Sequence, residues 1–361
     1  MEINEKGAEE KTIIAIDSFK GCLTSAEANE AAAKAFDNAE TIAVSDGGDG
    51  MLDAFAAAWG ARQIDVPTHD ALMRHRTGRI AIAGDTAIIE VAQAVGLPFI
   101  EPEQRNPWTA TSYGVGELIA EALRHCCRHL IIGLGGTATS DCGIGMLKAL
   151  IKLLTHDGNI DDLHLGDIEV TLATDVDNPL LGDNGSAAVF APQKGASAEM
   201  VRRIEHRAAT FSRLSAMHCN KDESATPGAG AAGGLGYAFL EFFNSRIESG
   251  ADMLLRKVGF DKLLAGCSLV VTGEGSSDRQ TLMGKLPQRI LAHCQQAEDK
   301  PVVWLVAGHV EDEADLLNAG FRRVININEG HLRDGENPLD KDIARRNIED
   351  ALRDNVMTIR M

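Results

Sequence analysis

Five short runs of consecutive apolar residues punctuate the two ends of the chain. They are TIIAID (12–17), TIAVSD (41–46), SLVVTG (268–273), PVVWLVAG (301–308) and RVINI (323–327), each followed by a helix-like segment. Short, continuous and rich in Val and Ile, they predict strands of a parallel sheet buried on both faces. The helix after the first run is expected to start near Ser25, an N-cap type with Glu27 and Glu30 in its first turns. A second helix is expected over Asp49 to Trp59. The middle of the chain follows another pattern. RTGRIAIAGDTAIIEVA (76–92) is two alternating runs split by Gly84-Asp85, a hairpin signal. A helix over 114–125, a strand at 129–132, a helix through MLKALIKLL and a strand at EVTLATDV follow. The run SAAVFAP then precedes an amphipathic helix over 198–217. The pattern predicts an α/β fold with a discontinuous first domain (12–72 plus 250–361) and a mixed-sheet domain (73–249) inserted in it. Residues 1–11 form an extension expected to be disordered.

A chain of 361 residues is of two-domain length. Its formal net charge of −18 makes nucleic acid and anionic membranes unsuitable partners. No apolar tract is long enough to span a bilayer, and the charged start MEINEKGAEEKT lacks the apolar core of a secretory signal, so a cytoplasmic location is expected. The seven cysteines are scattered without a CxxC pair, which argues against a disulfide framework and a zinc site.

Ligands of open parallel sheets bind beyond the carboxyl ends of the strands. The segments there form a chemical set: DSFKG (17–21), SDGGDG (45–50), GGTATSDCG (135–143), TDVDNP (174–179) and GEGSSDRQTLMGK (273–285). Each places an acid beside Gly, Ser or Thr, and two add a lysine. Glycine amides cradle phosphate oxygens, carboxylates hold magnesium, and a lysine neutralises charge, so the set suits phosphoryl transfer. Taken singly, each has a plainer reading. Asp46 can cap the next helix, Asp175 and Asp177 can form a turn before Pro179, and Lys20 and Lys285 can be surface lysines. Cys142 reads as a small packed residue and His309 as structural or solvent-facing. PGAGAAGGLG (227–236) contains GxGxxG at Gly228, Gly230 and Gly233. The polar CNKDESATP before it is no strand, so a dinucleotide fold is excluded and a glycine-rich helix start is read instead. The Walker pattern and the HRD and DFG motifs of protein kinases are absent.

In order, DSFKG, SDGGDG, RNP (105–107), GLGGTATSDCG (133–143), DVDNPLLG (175–182), APQKG (191–195), PGAGAAGGLG, GEG and QTLMGK resemble the motifs of the bacterial-type glycerate kinase family, over about residues 12–330. That family phosphorylates D-glycerate with ATP and magnesium. The resemblance implies a flavodoxin-like parallel-sheet domain built from both chain ends, an inserted α/β domain and an active site in a cleft, with 2-phosphoglycerate as the product. A kinase of another small hydroxy acid and a non-catalytic ligand-binding relative are the alternatives. Lys20, Asp46, Asp141, Asp175, Asp278 and Lys285 match family positions. Within these motifs the catalytic set is assigned as Lys20 with Asp175 and Asp278, one of the two acids orienting the attacking hydroxyl. Substrate and phosphate contacts are assigned to Ser18, Lys285, Arg279, Gly135, Gly136, Thr137, Gly273 and Gly275. Asp46, Asp141 and Glu274 are assigned to magnesium. This chain departs from the family's usual residues at Ile16, Asp49, Ser140, Cys142, Ser276 and His309. Serine cannot supply the bidentate contact of the family's arginine at 276; Arg279 is the candidate substitute. The expected partners are the small molecules D-glycerate and ATP.

Overall fold

The computed structural model describes residues 11–48 and 50–360, so residues 1–10 of the expected extension and Asp49 lie outside the described residues. Eleven strands form among these residues. They are β1 (Lys11–Ile16), β2 (Ala39–Thr41), β3 (Arg62–His69), β4 (His75–Ala83), β5 (Thr86–Glu90), β6 (His129–Gly133), β7 (Glu169–Ala173), β8 (Asn244–Glu248), β9 (Cys267–Ser277), β10 (Val302–Val310) and β11 (Arg323–Asn326). The chain divides into a terminal unit, up to Asp46 and from Ala251 on, and a central unit, Gly47–Gly250. No helix among the described residues is long and apolar enough to cross a membrane.

The terminal unit holds a parallel sheet of order β11-β10-β9-β1-β2. Ile14, Ile16, Leu269, Val271, Trp304 and Val306 share one core with Ala28 and Ala32 of the helix Ser25–Ala33 and with Ile348 and Leu352 of the helix Lys341–Arg360. The helix Leu286–Gln296 packs against β9 and β10. Helical cover explains the continuous apolar runs.

Two local details differ from the sequence expectation. The first helix is capped by Thr24, whose hydroxyl accepts from Glu27 N while the Glu27 carboxylate accepts from Thr24 N. Ser25 is buried instead: its Oγ donates to Ile16 O at 2.6 Å and accepts from Val44 N at 2.9 Å. Asn29 joins it, accepting from Ile16 N at 2.8 Å and donating to Ile42 O at 3.0 Å. These side chains satisfy backbone groups that a ladder would otherwise take. Strand β2 therefore ends at Thr41 rather than continuing to Asp46. The same bonds pin the end of β1 at Ile16, immediately before Asp17.

The central unit holds a sheet of order β3-β4-β5-β6-β7-β8, antiparallel from β3 to β5 and parallel from β5 to β8. The hairpin predicted at Gly84-Asp85 is β4–β5. Residues 47–72, assigned from sequence to the first domain, belong to this unit. β3 pairs along its length with β4, from Arg62↔Ile82 to His69↔His75, and the helix Met51–Trp59 packs on β4 and β5. RQIDVPTH carries only a short alternation, Ile64 and Val66, and its proline is tolerated because β3 is an edge strand. The run SAAVFAP contains a short helix, Ser186–Phe190, and Ser197 caps the helix Ala198–Cys219 by accepting from Met200 N.

Candidate functional site

In the terminal unit the chain leaves β1 for β2 on one side of the sheet, and leaves β9 for β10 and β11 on the other. The carboxyl ends of the adjacent β1 and β9 thus form a topological switch point, where open α/β sheets bind ligands. Asp17 N donates to Gly273 O at 2.9 Å, tying the two ends together. A Cβ on Gly273 would sit 2.1 Å from Val306 O, so that glycine answers to β9–β10 packing. A Cβ on Gly275 would stand 3.4 Å from Lys20 N, which brings bare β9 backbone against the DSFKG turn.

Acids gather here. Asp17, which the sequence reading did not select, has its carboxyl held well above the usual range. Burial is the main cause, and Asp46 and Glu274 act in the same direction. The bond from Ser18 N, at 2.7 Å, and the charge of Lys20 oppose it. Glu274 is engaged on both oxygens: Oε1 accepts from Thr281 Oγ1 at 2.6 Å and Ser277 Oγ at 3.2 Å, and Oε2 from Lys285 Nζ at 3.1 Å. Lys20 is exposed. Asp278 Oδ1 accepts from Gln280 N at 2.6 Å and caps the turn Arg279–Leu282. Arg279 is largely exposed and pairs with Asp315, 2.5 Å away. Ser276 is paired in register with His309, whose Nε2 lies 3.1 Å from Glu311.

The central unit gathers a second group beyond the carboxyl ends of β6 and β7. A Cβ on Gly135 would fall 2.7 Å from Gly48 Cα, one on Gly47 would fall 2.7 Å from Ala173 O, and Leu134 N donates to Ala173 O at 3.2 Å. The GG of SDGGDG, the loop GLGGT and the end of β7 that leads to Asp175 are therefore in mutual backbone contact. Leu97 N donates to Gly136 O at 2.7 Å, leaving Gly136 exposed at the crest with Thr137 buried behind it.

Asp141, assigned from sequence to magnesium, has a different environment. It is 6% exposed; Oδ2 accepts from Ser112 N at 2.9 Å, Ser112 Oγ at 3.0 Å and Gly145 N at 3.0 Å, and Oδ1 from Gly143 N at 3.2 Å. It braces the loop. Cys142 next to it is buried, and burial pushes its thiol up to about 12, so it stays neutral. The helix start read from PGAGAAGGLG packs on the same loop: a Cβ on Gly233 would stand 2.0 Å from Thr139 O. Lys194, which lies in the APQKG motif but was not among the site residues read from the sequence, is buried against this loop.

Among the described residues no three His, Cys, Asp or Glu side chains are grouped so as to enclose a metal ion. A kinase magnesium needs only one or two carboxylates beside phosphates and water. The pair Asp17 and Asp46 fits that demand, because the charge of Asp46 disfavours ionisation of Asp17 and a divalent cation would remove the conflict. Glu274 and Asp141 each accept hydrogen bonds on both oxygens.

Comparison with known proteins gives a consistent picture. A family model described as the glycerate kinase family matches residues 12–358. The chain is 35% identical to the glycerate 2-kinase of Escherichia coli K12, covering 88% of this chain and 90% of that protein. It is also 35% identical to the glycerate kinase of Bacillus subtilis 168, with the same shares covered. A crystal structure of a provisionally named glycerate kinase 2 from Salmonella typhimurium LT2 superposes with a TM-score of 0.77 at 30% identity, covering 97% of this chain and 98% of that one.

Proposed function

The chain belongs to the glycerate kinase family, and from that premise we propose that it transfers the γ-phosphoryl group of ATP to a hydroxyl of D-glycerate, giving 2-phosphoglycerate. The observation that carries this reading is the set of Asp17, Asp46 and Glu274 with Lys20 and Lys285 at the switch point of the terminal sheet. Two anions have to meet in such a reaction, and Lys20 and Lys285 lower their repulsion. Lys285 is held by Glu274 and so is aimed before substrate arrives. Asp46, with Asp17, would hold magnesium, which when bound neutralises charge on the phosphates. Asp175 is assigned the attacking hydroxyl, because Asp278 caps a turn with Oδ1. Ser18 and the amides of Gly135, Gly136 and Gly275 are assigned to anionic oxygens; Gly273 is assigned to strand packing instead.

The test is ADP release with magnesium-ATP against D-glycerate, L-glycerate and a panel of hydroxy acids. Turnover on D-glycerate supports the proposal, and NMR of the product separates the 2- from the 3-phosphate. Turnover confined to another hydroxy acid would replace the substrate, and Ser276 and His309 would then be the positions to exchange. Silence from folded protein would sink the activity.

A further inference from the structure

Lys194 ends the short turn Pro192–Lys194 and is 4% exposed. Its ammonium donates to Thr139 O at 2.7 Å and to Thr137 Oγ1 at 3.1 Å. It forms no ion pair among the described residues, and Asp141 is the charge that acts on it from the neighbouring loop. A buried ammonium without an ion-pair partner is costly. The loop it holds has further uncompensated polarity: Thr139 Oγ1 and Ser140 Oγ are buried with no hydrogen-bond partner among the described residues.

The geometry has a direct consequence for Thr137. A hydroxyl has one donor hydrogen and two acceptor lone pairs. Lys194 can only donate, so it takes a lone pair of Thr137 Oγ1 and leaves the hydrogen free to point elsewhere. Thr137 follows directly on the exposed Gly136. We propose that Lys194 is a positioning residue of the reaction: acting through Thr137, it fixes the loop Gly135–Thr139 as the receptor for an anionic oxygen of one substrate. This rests on the phosphoryl-transfer reading above. Burial also lowers the Lys194 ammonium to about 7, Asp141 opposing. The other groups that touch it, Thr137 and Thr139, do not titrate, and Cys142 stays a thiol.

The test compares wild type, Lys194→Met and Lys194→Arg by thermal shift with ATP alone and D-glycerate alone from pH 7 to 9, and by steady-state kinetics. In Lys194→Met the ligand-free protein is expected to melt within a few degrees of wild type, relief of the buried charge offsetting the Thr139 carbonyl left without its donor. Its Kd for one of the two anions should rise about 10- to 100-fold, the worth of a charge-assisted hydrogen bond. Wild-type affinity for that anion should weaken with rising pH, and Lys194→Arg, which stays charged, should abolish the slope. Unchanged Kd values for both anions in Lys194→Met would overturn the proposal. Should that variant not fold, wild-type affinities flat with pH would overturn it equally. Binding is read without turnover, so a protein that binds but releases no ADP refutes the kinase activity and leaves this proposal standing.

Discussion

Replacing Asp141 with asparagine separates a brace from a metal ligand. The carboxylate accepts four hydrogen bonds, three at Oδ2 and one at Oδ1. Asparagine has one oxygen. Placed at the Oδ2 position it keeps three bonds but loses their charge assistance, and its NH2 then faces the Gly143 N–H. A charged acceptor is worth about 1 kcal/mol more per bond than a neutral one, and a buried unsatisfied N–H costs about 1–3 kcal/mol. The sum, discounted for bonds that share one group, is about 3–5 kcal/mol. For a unit the size of the central one, that corresponds to a melting temperature lower by roughly 6–20 °C. The assay is calorimetry of ligand-free protein in EDTA, followed by a magnesium titration of kcat. The structural reading expects the drop in stability with an unchanged magnesium requirement. A variant that melts like wild type and needs far more magnesium would refute it and restore Asp141 as a ligand.

Asp17 carries a pH prediction. Its folded carboxyl binds its proton more tightly than the unfolded chain does, so its ionisation opposes folding once pH rises above the ordinary aspartate range. Asp17→Asn should therefore raise the melting temperature at pH 8 more than at pH 4, and calorimetry at the two values checks it. Asp175→Asn should lower kcat by about 100-fold or more with little change in KM, as expected for a group acting in the transition state. Asp278→Ala should act mainly on stability, by about 0.5–2 kcal/mol for a lost cap; steady-state kinetics and melts on it and on Asp175→Asn show whether the two roles are reversed. Arg279→Ala should leave kcat and KM within about two-fold, since an exposed ion pair contributes little, and a large rise in KM would return Arg279 to the substrate.

Much of this fold was legible because burial writes itself into composition. The runs at 12–17, 268–273 and 301–308 are dominated by apolar residues, and they became β1, β9 and β10, the interior strands of the terminal sheet. Strand β3 was not legible: an edge strand with only Ile64 and Val66 as apolar positions, followed by Pro67, leaves too short a hydrophobic signature. The end of β2 was misjudged for a different reason. Ser25 and Asn29 satisfy the backbone that a ladder would have paired, and they lie far from Val44 in sequence. At the site, the loops were visible as clusters of Gly and Asp, but sequence does not distinguish an acid aimed at a ligand from one aimed at its own backbone. Nothing in the sequence announces that Asp141 and Asp278 accept from backbone N–H groups. Lys194 was missed because a lysine is by default a surface residue, and nothing local announces that Thr137, distant in sequence, will receive its ammonium.

Strand β9 runs past its last pairing with β1, Ile16↔Gly273, and continues beside β10 through Ser277↔Val310. Beyond the sheet proper the two strands form a ladder of their own. Along it Ser277 is fully buried while Ser276 and its partner His309 face outward. A lineage can therefore exchange the residues on that outward rung without disturbing the rungs that hold the arm together. Because 276 and 309 are direct neighbours, a change in size or charge at one alters the surroundings of the other. Divergence should proceed there in coupled pairs, with the scaffold inherited unchanged.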